Sequence, residues 1–324
     1  MNGRLLLQHG SCLGAAIPSA ILLYLIQPHH GLSFPEKENK TMKCLSSIST
    51  AILAGFFLTG FIAAPETAAA DKPLPVEQSE RLELKGIEEP SGVCYHTTRK
   101  TLFVVDDGGE VCEFTPQGKI VQRKRIRRAD FEGIAHDPAT GFLYIAIEGE
   151  EAILEVDPET LKPRREFPLP RTFEGRTVMK EGGQGIEAIA FVSNPAHPHG
   201  GTFFVANQCF DPKKYPEDLS AIFEVEVPLK AESFQPADIK ILRCIRPDAI
   251  DISALHYDAQ RNLLYAVSDE TDRLLAFSRT GEQLDAWTLP GENQEGLVMD
   301  ADGFMYIAQD SGGVLKLKIG SPKP

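Results

Sequence analysis

From about residue 81 onward, short runs of β-branched and aromatic residues alternate with turn-forming residues, a pattern typical of strands joined by hairpins. Five segments share one pattern, in which Ser or Glu is followed by Gly or Ala and then by a branched aliphatic residue. They begin at Ser91, Glu132, Glu187, Ser253 and Glu295. The intervals of 41 and 42 residues give the length of a repeating unit, and the intervals of 55 and 66 residues contain insertions.

Each of these segments is followed by further strands, so that one unit contains four. In the first unit the second strand is predicted at Thr101 to Val105 and the third at Val111 to Phe114, with a turn before the fourth. Four-stranded units of about 40 residues are the signature of a β-propeller. The sequence therefore predicts an all-β, five-bladed β-propeller. A six-bladed propeller is the alternative, if the long third unit holds two blades.

The last unit stops after three strands, at Ile319. A spare strand is predicted before the first repeat, at Arg81 to Ile87. We therefore expect this N-terminal strand to complete the last blade and close the ring. The predicted propeller domain covers residues 81–324, and residues 71–80 are interpreted as a linker.

Residues 42–70 have the three parts of a secretory signal peptide. Met42-Lys43 is a short positive start, Cys44 to Ala64 is apolar, and Ala68-Ala69-Ala70 is a small-residue cleavage pattern. Residues 1–41 are then a wrongly assigned upstream start or an extra apolar segment. The alternative is an uncleaved apolar segment that anchors the chain in a membrane. Both interpretations place the folded domain outside the cytoplasm, in the periplasm or secreted.

The chain is acidic, with a formal net charge of -13. This balance argues against a nucleic-acid partner, which requires a basic surface, and it permits cation binding. The cysteines form no CxxC pair, so a zinc knuckle is not expected. Cys94 and Cys112 are interpreted as small buried strand residues, and Cys209 with Cys244 is the pair to test for a disulfide.

The topology of a propeller gathers acidic residues at one end of its channel. The first strand of each blade is innermost and the second runs antiparallel to it, so the start of one and the end of the other lie on the same face. We therefore predict that Glu132, Glu187 and Glu295 converge near the axis as metal ligands. The residues predicted to form a rim of further ligands are Asp107, Glu148, Asn207, Asp269, Glu270, Asp310, Ser91 and Ser253.

Three converging carboxylates repel one another, so either their pKa values rise or a cation lies among them. Oxygen ligands of this kind suit a hard cation, Ca²⁺ before Mg²⁺, and Ca²⁺ is the expected cofactor. The alternative is that the glutamates are bridged by water or paired with an arginine and only tie the blades together.

Four segments of the repeats carry a resemblance to a known family. They are Phe131–Ala135, Asp251–Leu255, Ala266–Glu270 and Gln294–Leu297. In order and spacing they resemble the SdiA-regulated domain family of bacterial envelope propellers, over nearly all of the chain from about Arg81 to Ile319. The resemblance implies a calcium-associated propeller and leaves its biochemical activity open. The Pro-rich insertions of the long third unit depart from the family pattern.

Three classes of function fit these features. The first is a calcium-stabilised module of the cell envelope that binds a ligand or acts as a scaffold. The second is a metal-dependent hydrolase of the phytase, lactonase or esterase kind, for which only Lys213, Lys214 and Arg273 are placed to hold a phosphate. The third is a platform for a protein partner at the membrane surface. The expected partner is a small molecule or an envelope protein, with membrane contact only through an uncleaved N-terminal segment. The sequence ranks the three in this order.

Overall fold

The computed structural model describes residues 71–180, 185–208 and 220–320. These residues form β-strands and one short 3-10 helix, Pro236–Asp238, and contain no helix long and apolar enough to cross a bilayer. The strands, in chain order, are β1 (Lys72–Pro73), β2 (Val76–Leu82), β3 (Pro90–His96), β4 (Thr101–Asp106), β5 (Glu110–Phe114), β6 (Ile120–Arg125), β7 (Asp130–His136), β8 (Leu143–Glu148), β9 (Ala152–Asp157), β10 (Lys162–Pro168), β11 (Thr172–Phe173), β12 (Arg176–Thr177), β13 (Ile186–Ser193), β14 (Gly201–Asn207), β15 (Ile222–Glu226), β16 (Lys240–Ile245), β17 (Ile252–Asp258), β18 (Leu263–Ser268), β19 (Arg273–Ser278), β20 (Gln283–Thr288), β21 (Gln294–Met299), β22 (Phe304–Gln309) and β23 (Val314–Ile319).

The strands form five blades in which consecutive strands pair antiparallel. Blade 1 contains β3 to β6, blade 2 β7 to β10, blade 3 β13 to β16, blade 4 β17 to β20, and blade 5 β21 to β23. The innermost strands β3, β7, β13, β17 and β21 lie side by side in that order, and β21 also lies beside β3, which closes the ring. The predicted five-bladed β-propeller is confirmed. The long interval before blade 3 holds the small hairpin β11–β12 instead of a sixth blade.

The N-terminal strand completes blade 5, as predicted, but from an earlier position. The strand β2, which begins at Val76, pairs antiparallel with β23, whereas the prediction began at Arg81. The apolar residues Leu84 and Ile87, which suggested a strand, are buried beside blade 1 in the connection that follows it. Residues 72–73 also form a strand, parallel to β20 at the edge of blade 4, so the segment interpreted as a linker belongs to the propeller.

The hydrophobic core lies between neighbouring blades, because the second strands are apolar on both faces and the third strands are mostly apolar. In β4, Phe103 and Val104 alternate in direction and both are fully buried. Cys94 and Cys112 are buried strand residues, as predicted. Cys209 lies outside the described residues, and Cys244 is a free thiol, so the structure does not support their predicted disulfide.

A polar tie repeats at the end of the propeller opposite the motif starts. At its centre is a charged residue of the third strand, which pairs in register with an aromatic residue of the second strand. In blades 1 to 3 this centre is Glu113, Glu155 or Glu224, and in blade 5 it is Lys316. Blade 4 has Ala276 at the same position, between Tyr265 and Asp285 in register.

Each tie reaches the connection between the third and fourth strands of the next blade. The Gln122 side chain donates to Glu113 and to the Pro158 carbonyl of blade 2. Arg165 donates to Glu155 and to the Leu229 carbonyl of blade 3. Arg243 of blade 3 donates to the Arg279 carbonyl of blade 4, and Lys316 of blade 5 donates to the Pro116 carbonyl of blade 1.

The Glu224 tie supports a prediction about stability. Burial alone would raise the pKa of this carboxyl, but hydrogen bonds from Arg279, Arg243 and Thr202 outweigh it and lower the pKa to about 2. Because the folded pKa lies below the ordinary value of 4.5, the contribution to stability is complete above pH 4.5 and is lost as the pH falls towards 2. We expect Glu224→Gln to destabilise the protein by about 3 kcal/mol at pH 7, since two guanidinium groups lose their anion.

Urea unfolding measured between pH 7 and pH 3 checks this expectation. The difference between wild type and Glu224→Gln should shrink as the pH falls below 4.5. Glu232→Gln changes an exposed glutamate and should leave the unfolding midpoint unchanged. An equal effect of both variants, or a Glu224 effect independent of pH, would contradict the tie.

Candidate functional site

Each innermost strand carries a β-bulge at the start of its repeat motif. The pairing register of the first two strands slips by one residue between Pro90 and Gly92, and the same slip recurs in the other four blades. The residues at the slips are Ser91, Glu132 with Gly133, Glu187, Ser253 and Glu295. A bulge re-aims the side chain of the extra residue away from the alternation of the strand. The repeated motif is therefore a device that places five side chains at one end of the channel.

The two serines of this set bind backbone of the next blade. The Ser91 hydroxyl donates to the Phe131 carbonyl, and the Ser253 hydroxyl donates to the Gln294 carbonyl over 2.5 Å. Both serines are buried. Each bonded carbonyl directly precedes a motif glutamate, so the serines fix the strands that carry Glu132 and Glu295.

The three glutamates lie close enough for their charges to affect one another's pKa. Burial, followed by Glu187 and Asp107, raises the pKa of Glu132 well above its usual range. Burial, followed by Glu148 and Glu295, does the same to Glu187, which is 7% exposed. For Glu295 burial and the neighbouring aspartates raise the pKa to about 8. The three residues predicted to converge are thus brought together at the mouth of the channel.

Three carboxylates form a tighter group at this mouth. Ligand oxygens of Asp107, Asp130 and Glu132 all lie within 4.8 Å of one another. Glu132 was predicted as a ligand and Asp107 as part of the rim, whereas Asp130 was not predicted. Glu187 and Glu295 stand outside this group and surround it with further negative charge. We call Asp107, Asp130 and Glu132 the carboxylate triad.

The sequence analysis missed two acids, Asp130 and Asp251. Burial raises the pKa of Asp130, and burial with Asp269 raises that of Asp251 to about 6. Both lie two residues before a motif start, a position that Glu89 occupies in blade 1. This second recurring acidic position was the available signal in the sequence.

We call the group formed by Glu132, Glu187 and Glu295 the ring. Among the residues predicted to form the rim, some acids act on this ring, whereas others bind backbone groups. Although Asp107 as a residue is exposed, desolvation of its carboxyl raises the pKa to about 7. Burial also raises the pKa of Asp269, and the charge of Asp310 acts on both aspartates and on Glu295. Glu148 is hydrogen-bonded with Glu187 and also accepts from the Gly185 amide over 2.9 Å.

The Asn207 amide is engaged by backbone groups, whereas the charge of Glu270 lies near enough to the ring to raise the pKa of Asp251 and of Asp269. The Asn207 side chain donates to the Val178 carbonyl over 2.6 Å and accepts from the Ala221 amide over 2.7 Å, so both ends of its amide are engaged by backbone. Glu270 is exposed to solvent. Asn207 therefore holds the end of β14 in place.

The ring has little cationic compensation among the described residues. Arg273, the predicted phosphate-binding arginine, is paired with Asp71 and donates to the Asp248 carbonyl. Lys213 and Lys214 lie outside the described residues. The largest influences on Glu132, Glu187 and Glu295 are burial and other carboxylates. The arrangement can therefore hold protons or attract a cation with oxygen ligands.

Comparison with known proteins agrees with the fold. A family profile described as SdiA-regulated matches residues 76–312. No curated protein sequence matches the chain. The solved structure of Myxococcus xanthus glutaminyl cyclase aligns with a TM-score of 0.50 and 11% identity, over 77% of this chain and 100% of that one. Kuenenia stuttgartiensis hydrazine synthase aligns with a TM-score of 0.40 and 15% identity, over 69% of this chain and 56% of that one. At these identities the first likeness concerns the fold alone.

Proposed function

The chain belongs to the SdiA-regulated family of β-propellers, and we propose that it is an exported ligand-binding or scaffold module of the cell envelope whose acidic mouth holds Ca²⁺. The observation that carries the proposal is the carboxylate triad, surrounded by Glu187, Glu295 and further acids. Export follows from the predicted signal peptide at residues 42–70.

The chemistry of the donors supports a hard cation. Asp107, Asp130 and Glu132 offer only carboxylate oxygens, which Ca²⁺ and Mg²⁺ prefer. Asp107 is exposed and Glu132 is half-buried, so an ion could enter the carboxylate triad from solvent. Ca²⁺ is favoured over Mg²⁺, because it accepts irregular sets of six to eight oxygens, whereas Mg²⁺ demands a near-ideal octahedron.

The surroundings of the ring support a scaffold or binding role over hydrolysis. A phosphate-directed hydrolase would use cationic side chains beside the metal. The arginine predicted for that task, Arg273, is occupied by Asp71. A bound ion at this mouth instead links blade 1, which carries Asp107, with blade 2, which carries Asp130 and Glu132. Ca²⁺ would then strengthen an interface that carboxylate repulsion weakens.

Calorimetric titration of the purified chain with Ca²⁺ tests the proposal. We expect one site with a dissociation constant of about 10⁻⁴ to 10⁻³ M, the range of extracellular calcium-binding modules. Asp130→Asn and Glu132→Gln should each weaken binding about tenfold or more. Glu282→Gln removes an exposed carboxylate from a turn of blade 4 away from the mouth; it is the control and should bind as wild type does.

The results separate the functional classes. Absence of Ca²⁺ binding, or equal binding by Glu132→Gln and wild type, would refute the metal site and turn the search towards a protein partner. If Ca²⁺ binds, hydrolysis of lactones and phosphate esters by the loaded protein would favour the enzyme over the scaffold.

A further inference from the structure

A cavity of about 740 Å³ lies between blades 4 and 5 and shares no lining residue with the acidic mouth. Its walls include the turns that join the first and second strands of these two blades, and the N-terminal residues 72–75. Tyr95, His256, Tyr265, Trp287 and Phe304 line it. Its volume is in the range of small-molecule sites, and such sites are mostly lined by apolar and aromatic side chains.

The cavity lies where the repeated polar tie is missing. Four blade interfaces carry a tie centred on Glu113, Glu155, Glu224 or Lys316. In blade 4 the centre is Ala276, which has no charged group to reach the next blade. Its register partners, Tyr265 and Asp285, both line the cavity. The space that a long charged side chain fills elsewhere is therefore left open here.

The backbone acceptor of the tie is also missing at this interface, because the propeller closes in blade 5. Elsewhere the tie ends on the connection between the third and fourth strands of the next blade. In blade 5 those strands are β23 and β2, from opposite ends of the chain, so no connection joins them. In its place the Gly320 amide donates to the Pro75 carbonyl over 2.7 Å, and both residues line the cavity. A departure from the repeat at one interface is where a functional site is expected.

The charged groups at the walls already have partners. Lys72 lies 2.6 Å from Asp285 and over the ring of Trp287 at 5.0 Å. Arg261 lies 2.6 Å from Asp258. Asp300 accepts from two backbone amides and from the Tyr306 hydroxyl. A charged ligand would therefore have to displace one of these partners.

The polar groups that remain for a ligand are uncharged. The side chains of His256, Tyr95 and Tyr265 line the cavity and have no hydrogen-bond partner within the described part of the chain. Burial lowers the pKa of His256 to about 4, which keeps its imidazole neutral at physiological pH. Burial also raises the pKa of Tyr265, which keeps its phenol protonated. These groups can donate and accept hydrogen bonds without charge.

We propose that this cavity is a binding site for an uncharged organic molecule with a flat, apolar ring system and at least one hydrogen-bonding group. The aromatic walls would stack on the rings, and His256 with the two phenols would orient the polar group. The site is separate from the acidic mouth, because none of the acids of the mouth lines it. Its occupation does not depend on Ca²⁺.

Trp287 provides a direct measurement, since it is the only tryptophan of the chain and lines the cavity. The probe is N-phenyl-1-naphthylamine, which is uncharged, titrated into protein purified from cells that express the full chain. We expect saturable quenching of the Trp287 emission at one site, with a matching rise in probe emission. The anionic probe 8-anilino-1-naphthalenesulfonate has the same ring frame and should bind about tenfold more weakly or worse.

Two substitutions test whether the probe binds in the cavity. Ala259→Phe and Ala301→Phe add a ring at exposed turn positions on the blade 4 and blade 5 walls, so the fold should tolerate them. Each should weaken the uncharged probe about tenfold. Ala139→Phe makes the same change in the corresponding turn of blade 2 and should leave binding unchanged. Absence of saturable quenching, equal binding of the two probes, or equal effects of all three variants would overturn the proposal.

Discussion

Glu295→Gln is expected to stabilise the calcium-free protein at pH 8 by about 3 kcal/mol, which corresponds to a rise in melting temperature of about 5 to 10 °C. The reason is that burial and the neighbouring acids raise the pKa of Glu295 from 4.5 to about 8. A group that is easier to protonate in the fold gives stability fully present below pH 4.5 and lost as the pH rises towards 8. Glutamine keeps the shape of the side chain and carries no charge to repel.

The same repulsion predicts how calcium acts. Without calcium the wild-type melting temperature should fall between pH 5 and pH 8, and Ca²⁺ should restore most of this loss at pH 8 and little of it at pH 5. At pH 5 protons already neutralise the ring, so the ion has less repulsion to remove. Thermal melts in calcium and in chelator at the two pH values measure both effects.

A matched substitution controls for the loss of charge itself. Glu282 is exposed in a turn of blade 4, and Glu282→Gln should leave all four melting temperatures unchanged. If Glu295→Gln instead destabilised the calcium-free protein at pH 8, the carboxylate would be acting as a tie between blades, which is the alternative that the sequence left open.

Gly133→Ala is expected to destabilise the propeller by about 3 kcal/mol or more. A Cβ atom at Gly133 would lie 2.7 Å from the Ile189 nitrogen of blade 3, and one at Gly92 would lie 2.4 Å from the Glu132 carbonyl of blade 2. Both neighbours are backbone atoms of the next innermost strand, so relief requires the strands to move apart. Such overpacking typically costs 1–3 kcal/mol, and a backbone contact is at the severe end.

Urea unfolding of Gly133→Ala beside Ala188→Gly measures this crowding. Ala188 holds the same motif position in blade 3, where the Cβ atom is accommodated and buried. The reverse substitution there should cost only about 1 kcal/mol, the ordinary penalty of a glycine in a strand. Comparable costs for the two variants would show that the innermost strands are less crowded than the distances indicate.

The origin of the candidate site explains which of its parts a sequence can reveal. Glu132, Glu187 and Glu295 were found because they hold one position of a repeat, and in a propeller one position is one place on the ring. Asp130 and Asp251 hold a second such position that only some blades fill with an acid. Asn207 has the right composition and location for a ligand, but backbone groups engage its amide, which no pattern reports.

The repeat in the sequence predicted five blades, with six as the alternative, and also predicted the closure by an N-terminal strand and the end of the channel at which the acids gather. These follow from the period of the repeat and from the antiparallel order of its strands, which are local properties of the chain. The register of the closing strand was decided only in the tertiary structure, because β2 is an outermost strand whose mostly exposed residues carry no hydrophobic pattern. The carboxylate triad and the cavity between blades 4 and 5 also arise only from the tertiary structure. Both depend on contacts between residues of different blades, far apart in the chain, and the distance between two blades is set by packing across their interface.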